Sequence, residues 1–95
     1  MRNYEVALIT QADLEESAFT ALIEKVKGWL TASGGQVTQV DIWGRRRLAY
    51  PIRKQQEGQY VLLQAHMLPT SLREVERNLR LNEQILRFLI VRTDD

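Results

Sequence analysis

The order in which hydrophobic patterns follow one another constrains this chain more than any other feature. A β-rich run at residues 4–9 precedes a helical repeat of apolar residues. Two more β-rich runs follow, at residues 37–42 (extended through 48–50) and 60–67. A second helical repeat and a last β-rich run at residues 85–91 complete the series. This succession predicts two β-α-β halves that are joined by a hairpin.

Right-handed crossovers would place both helices on one face of the resulting sheet. The predicted fold is therefore α+β and ferredoxin-like, with a four-stranded antiparallel sheet and two helices on one face. The first and third strands would be central, the second and fourth would be edges, and the other sheet face would stay open. At 95 residues the chain is expected to form a single domain spanning residues 1–95.

Both predicted helices carry start signals and apolar stripes. Asp13 with Glu16, and Ser71 with Glu74, have the spacing of capping boxes. The pair Gly34-Gly35 is predicted to end the first helix, because glycine enters the left-handed cap conformation without steric cost. The apolar stripes are Leu14, Ala18, Phe19, Leu22, Ile23, Val26, Trp29 and Leu30 in the first helix, and Leu72, Val75 and Leu79 in the second.

The second strand contains residues that fit a sheet edge. Gly44 is predicted to mark a bulge or bend. Pro51 has no amide hydrogen to donate, which suits an edge or a strand end. The polar segment at residues 53–58 is predicted to be the hairpin loop before the third strand.

Basic residues are concentrated in this same part of the chain, although the net charge is only +1. No acidic residue lies between Ile42 and Gln56, while five of the thirteen basic residues fall within ten positions there. Such a local patch can bind phosphate, and on an edge strand it would also discourage pairing with another chain. The two roles are compatible. The five are Arg45, Arg46, Arg47, Arg53 and Lys54.

A second set of polar residues lies around the end of the second helix and along the last strand. It could position a folded RNA through backbone contacts, although Glu76 and Arg80 could equally pair across a solvated helix face. Arg87 and Arg92 differ in strand parity, so they should point to opposite sides of the sheet. The set comprises Arg80, Asn82, Arg87 and Arg92, together with Arg2 at the start of the neighbouring first strand.

Residues for catalysis or metal binding are not apparent. Cysteine is absent, and His66 is the one histidine, so no metal site and no cofactor are predicted. Acylphosphatases share the expected fold, but their catalytic arginine lies in a glycine-rich loop where this chain has Thr10-Gln11-Ala12-Asp13. The chain is not expected to be an enzyme. The absence of a long apolar run predicts a soluble intracellular protein without membrane contact.

The RNA-recognition motif is another domain with this topology. That module stacks bases on several aromatic residues of its two central strands. Here the third strand offers Tyr60 and the first strand offers Tyr4. Base-specific stacking on the open face is therefore not expected.

Three segments together resemble the sixth protein of the bacterial small ribosomal subunit. They are Met1-Arg2-x-Tyr4-Glu5, Trp43-Gly-Arg-Arg-Arg-Leu-Ala-Tyr-Pro-Ile52, and Leu79-Arg80-x-Asn82-Glu83 followed by Ile85-x-Arg87. The resemblance covers essentially the whole chain in order. It implies a structural constituent of the small subunit in the cytoplasm, and the residues do not distinguish a bacterial from an organellar source.

The resemblance also implies partners. Members of this family form a heterodimer with the eighteenth small-subunit protein, bind the central domain of small-subunit ribosomal RNA, and help to order the platform. We expect Asp41, Arg46 and Arg47 to dock the protein partner, and Arg2, Arg80, Asn82, Arg87 and Arg92 to face RNA. The alternative is a free-standing ferredoxin-like regulatory or small-ligand-binding module that assembles through its open sheet face.

Overall fold

Alternating burial along the first strand shows how the sheet is built: Tyr4, Val6 and Leu8 are buried, while the residues between them are half-buried. The computed structural model describes residues 1–32 and 34–94. Its elements are β1 (Arg2–Gln11), α1 (Glu16–Thr31), β2 (Gln36–Ile52), β3 (Gln55–Met67), a 3₁₀ turn (Pro69–Ser71), α2 (Leu72–Leu81) and β4 (Ile85–Arg92).

The four strands form one antiparallel sheet in the order β2-β3-β1-β4. Val6 of β1 lies opposite Leu63 of β3 on one side and opposite Ile90 of β4 on the other. The prediction of a ferredoxin-like sheet with central first and third strands is therefore confirmed.

The hydrophobic core lies between the helices and one face of this sheet. Val6 and Leu63 are fully buried there, as are Val26 of α1 and Leu79 of α2. The predicted stripes supply the helical side of the core, which confirms them, although Leu14, Trp29 and Leu72 are only partly buried and Ala18 lies outside the core. Among residues 1–32 and 34–94, no helix packs against the opposite side of the sheet, which is called the open face below.

Neither predicted capping box forms. Helix α1 begins later than expected, with Glu15 at the N-cap and no side-chain hydrogen bond there, so Asp13 lies too far upstream. Ser71 has helical backbone angles because the 3₁₀ turn leads directly into α2. A capping side chain needs an extended backbone to reach the free amides, and Ser71 lacks one.

The glycines near the end of α1 have two different roles. Gly34 has a φ of 85°, and its amide donates to the carbonyl of Thr31 at 3.1 Å, as expected of a helix stop. Gly35 instead allows close packing. A Cβ on Gly35 would lie 3.1 Å from the Cβ of Met67 and would overlap the carbonyl of Leu30.

The predicted loop at residues 53–58 is wrong, because β3 already begins at Gln55. Only Arg53 and Lys54 form the turn, and Ile52 pairs with Gln55 across it. Both turn residues have positive φ, 49° and 67°, as in the two-residue turns that match the twist of a hairpin. Neither is glycine or asparagine, so no sequence signal for this turn was present.

Candidate nucleic-acid interface

The β2–β3 hairpin extends beyond the rest of the sheet. The last pair between β1 and β3 is Gln11 with Gly58, whereas β2 and β3 stay paired as far as Ile52 and Gln55. Residues 47–57 therefore project past the end of β1, and residues 45–57 are called the basic hairpin below. They contain the five clustered cations that the sequence revealed.

A bulge changes the course of β2 just before the basic hairpin. The register with β3 shifts between Ile42 and Gly44, and Gly44 has a φ of 86°. This backbone conformation is easy for glycine and costly for other residues. The predicted bulge is thus confirmed, and Pro51 lies near the end of an edge strand as expected.

Leu48 anchors the basic hairpin to the sheet. Its side chain is buried, at 8% exposure, yet it lies apart from the main core. A Cβ on Gly58 would be 3.6 Å from Leu48 Cδ2 and would overlap Ile9 Cγ2. Since Ile9 belongs to the open face, Leu48 fastens the hairpin to that side of the sheet.

Arginine side chains tie the basic hairpin to neighbouring segments. Arg45 Nη2 donates to the carbonyl of Ala12 at 3.1 Å, and Arg53 Nη1 donates to the carbonyl of Glu83 at 3.2 Å. Arg87 of β4 donates to the hydroxyl of Tyr50, and its guanidinium carbon lies 5.9 Å from the centre of the Tyr50 ring. The hairpin thus reaches the loop before β4 and β4 itself.

The residues predicted to dock a protein partner lie along the edge strand β2. Asp41 accepts a hydrogen bond from the indole nitrogen of Trp43 at 3.0 Å. Arg46 and Arg47 are exposed, and within residues 1–32 and 34–94 neither makes an ion pair or a side-chain hydrogen bond. Their charges are therefore available to a ligand.

The residues predicted to face RNA fall into two groups. Arg80 and Arg87 lie close to the basic hairpin, and Asn82 is part of the loop between them. Arg2 and Arg92 lie at the other end of the sheet. Because Arg87 is opposite Ile9 and Arg92 opposite Tyr4, the two are separated by five strand positions, about 17 Å, and point to opposite faces. The structure does not bring the predicted set into one patch.

At the hairpin end two arginines have a carboxylate nearby, but at long range. Arg45 Nε lies 3.7 Å from Glu57 Oε2. The guanidinium carbon of Arg80 lies 5.8 Å from the centre of the Phe88 ring, and its contact with Glu76 is long, at 4.0 Å. Asn82 has a structural role, since its side-chain oxygen accepts from the amide of Gln84 at 2.8 Å. We call this region the basic end; its cations are Arg45, Arg46, Arg47, Arg53, Lys54, Arg80 and Arg87.

At the other end a carboxylate offsets the arginine charge. Arg92 Nε lies 3.1 Å from Asp94 Oδ1, and the amide of Asn3 donates to Asp94 Oδ2 at 3.0 Å. The Asn3 amide, followed by Arg92 and Arg2, lowers the pKa of Asp94 below its ordinary value. We call these contacts the terminal clasp.

An apolar groove of about 440 Å³ crosses the open face beside the basic end. Trp43 forms part of its wall and is 51% exposed. Tyr60 also lines it, whereas Tyr4 is buried in the core on the opposite face, so the central strands carry no paired stacking platform. The other main lining residues are Ile9, Leu62, Arg87 and Leu89.

Sequence reasoning missed Tyr50 and placed Arg53 and Lys54 in the basic segment without assigning them to a site. The contact between Tyr50 and Arg87 joins residues that are 37 positions apart, so no local pattern reveals it. In the described part of the chain, no group of three acidic or histidine residues could hold a metal ion. No helix of residues 1–32 and 34–94 is long and apolar enough to cross a membrane.

A ferredoxin-like sheet with exposed cations gathered at one end is typical of a small binding protein. The family model for ribosomal protein S6 matches residues 3–92. Small ribosomal subunit protein bS6 of Moorella thermoacetica is 45% identical over 95 residues, covering 100% of this chain and 97% of that protein. The bS6 protein of Clostridium novyi is 47% identical over 91 residues, covering 96% of each.

Among solved structures, 30S ribosomal protein S6 of Thermotoga maritima superposes with a TM-score of 0.90 at 29% identity. The match covers 97% of this chain and 87% of that one. The chain belongs to the ribosomal protein S6 family. It is a structural protein of the small ribosomal subunit and not an enzyme, which confirms the resemblance and the predicted location in the cytoplasmic ribosome.

Proposed function

We propose that this protein binds the central domain of small-subunit ribosomal RNA as a heterodimer with the eighteenth small-subunit protein, and so helps to order the platform for translation. The observation that carries the proposal is the basic end, where β2, the hairpin turn, α2 and β4 together contribute seven cations. Arginine forks match phosphate geometry, and contacts to the backbone fix the register of a folded RNA.

The RNA-binding residues in this proposal are Arg80, Asn82 and Arg87, with Arg2 and Arg92 as a second contact region. Arg80 and Arg87 are exposed and supported by aromatic rings. Asn82 contributes by shaping the loop that separates them. The distance between the two regions suits an RNA junction with more than one helix, since one straight backbone segment would not reach both faces of the sheet.

The partner-binding residues in this proposal are Asp41, Arg46 and Arg47. They lie on β2, whose outer edge is unpaired in the sheet. Forked donors on Arg46 and Arg47 could reach acidic groups of the partner, while Asp41 could accept from basic ones. The exposed Trp43 between them adds an apolar contact of the kind enriched in protein interfaces.

The main test is a filter-binding titration of the central-domain RNA junction with this protein, with and without the eighteenth protein, at two salt concentrations. We expect tight binding only when both proteins are present, and a steep loss of affinity as salt rises, because phosphate contacts release counterions. Absence of binding with the partner present at low salt would contradict the proposal.

The division of residues is tested by reversing charge in pairs. R46E/R47E should abolish co-purification with the eighteenth protein while the monomer keeps its stability. R73E/R77E is the matched control, because Arg73 and Arg77 are exposed on α2 away from the basic hairpin. Normal partner binding by R46E/R47E, together with lost RNA binding, would show that these arginines face RNA instead.

Family membership makes a free-standing regulatory or ligand-binding module the weaker candidate, although the apolar groove on the open face would suit one. Such a module would form stable homodimers and ignore RNA. Sedimentation of the isolated protein, followed by the same RNA titration, separates the two functions.

A further inference from the structure

Tyr50 and Arg87 form the contact that joins the basic hairpin to β4. The Arg87 guanidinium donates to the Tyr50 hydroxyl, with 5.9 Å between the guanidinium carbon and the ring centre. Both residues are exposed, Tyr50 at 57%. An exposed aromatic side chain that is hydrogen-bonded to an arginine of another strand is not explained by core packing.

The hairpin holds Tyr50 in place from both sides along the chain. Leu48, two residues before it, is buried against the open face. Arg53, three residues after it, donates to the carbonyl of Glu83 in the loop before β4. The position of the Tyr50 ring is therefore set by the fold, and the ring can in turn restrict Arg87.

The contact leaves Arg87 able to bind a further ligand. A guanidinium has five N–H donors, and Tyr50 takes one of them. A tyrosine ring also does not cancel the positive charge, as a carboxylate would. Holding a long, flexible side chain in one orientation reduces the entropy that it loses on binding.

We propose that Tyr50 is a positioning residue for RNA: it holds Arg87 in the orientation that meets a phosphate, without touching the RNA itself. This inference rests on the proposed RNA-binding function and adds to it a residue whose role is indirect. It predicts that Tyr50 matters only when Arg87 is present.

The test is a double-mutant cycle, with RNA affinity of the heterodimer measured across a salt series. Arg87→Ala should weaken binding and reduce the slope of log affinity against log salt by about one, as expected for one lost phosphate contact. Tyr50→Ala should weaken binding roughly threefold to tenfold with the slope unchanged, since Arg87 remains but is no longer held. Tyr50→Phe keeps the ring but removes the hydroxyl that accepts from Arg87, so it should also weaken binding with the slope unchanged.

In the Arg87→Ala background, Tyr50→Ala should have no further effect. Ile42→Ala is the matched control, because Ile42 is exposed on the same strand, at 55%, and does not contact Arg87. Urea unfolding of each single variant shows whether the fold is retained.

The outcomes separate this inference from the function on which it rests. If the unmodified heterodimer does not bind RNA, both proposals fail. If it binds and Arg87→Ala weakens it, but Tyr50→Ala has no effect or an equal effect in both backgrounds, then Tyr50 is not a positioning residue and only this inference is overturned.

Discussion

At the basic end of the sheet, Arg80 and Arg87 lie against the aromatic rings of Phe88 and Tyr50. At the opposite end, Arg92 pairs with the carboxylate of Asp94. Both arrangements limit the motion of an arginine, but the second offsets its charge more strongly, since the carboxylate is 3.1 Å away at Arg92 and 4.0 Å away at Arg80. The comparison shows how one sheet can keep positive potential at one end and use an arginine to stabilise the structure at the other.

The strongest test of this contrast removes two arginines from each end in turn. Each lost phosphate contact costs about a factor of eight in RNA affinity near 0.1 M salt, so R80A/R87A should weaken binding by roughly 60-fold. R2A/R92A should cost about eightfold or less, because Asp94 already offsets Arg92. Filter binding of the heterodimer measures both. Equal losses would mean that the carboxylate does not distinguish the two ends.

Leu48, which anchors the basic hairpin, can be substituted without changing any charge. Leu48→Ala should lower the free energy of unfolding by about 2 kcal/mol, near the low end for a buried leucine, because the site borders solvent and can relax. Leu81→Ala is the control, since Leu81 is 71% exposed and its loss should change stability by less than about 0.5 kcal/mol. Urea titrations measure the free energy of unfolding of both variants. A similar loss for Leu48→Ala and Leu81→Ala would show that Leu48 does not anchor the hairpin.

Substitutions at two glycines test whether the bulge at Gly44 sets the direction of the basic hairpin. Gly44→Ala should cost about 1 kcal/mol, because Gly44 has a φ of 86° that alanine adopts poorly. Gly28→Ala should stabilise by up to about 1 kcal/mol, since Gly28 lies in α1 with open space around its Cα. Thermal unfolding would show shifts in opposite directions. Shifts in the same direction would contradict the assigned bulge.

The smallest effect is expected at the terminal clasp. The folded state lowers the pKa of Asp94, so its contribution to stability is present above about pH 4 and is lost as pH falls through the lowered pKa. Asp94→Asn should therefore shift the urea midpoint slightly at pH 7, and the shift should shrink as the pH falls below about 4. If the difference in urea midpoint between Asp94→Asn and the unmodified protein grew as the pH fell, this assignment would be wrong.

Much of the fold could be predicted because it follows from local periodicity. The apolar stripes predicted both helices, and topology rules predicted the order of the strands. The capping boxes failed for a physical reason: spacing alone does not determine whether the backbone at Asp13 or Ser71 leaves an amide free for the side chain. The turn at Arg53 and Lys54 failed because its conformation is imposed by long paired strands on residues that do not favour it.

The candidate site was only partly predictable. The cluster of cations in β2 was visible in the sequence, and so was the opposite parity of Arg87 and Arg92, which the sheet register confirms. The contact of Arg87 with Tyr50 depends on a hairpin that folds across the end of the sheet. Such a contact arises from bulges and packing, for which a single sequence carries no periodic signal.

The turn at Arg53 and Lys54 has a consequence for engineering. Asparagine and glycine in these positions would adopt the left-handed backbone more readily, and a designer seeking heat resistance would choose them. That choice would also delete two charges from the apex of the hairpin and the tether from Arg53 to Glu83. Arg53 and Lys54 adopt the turn conformation less readily than asparagine and glycine would, but they supply two positive charges. The substitutions that would most easily stabilise the hairpin would therefore also weaken the proposed binding of RNA.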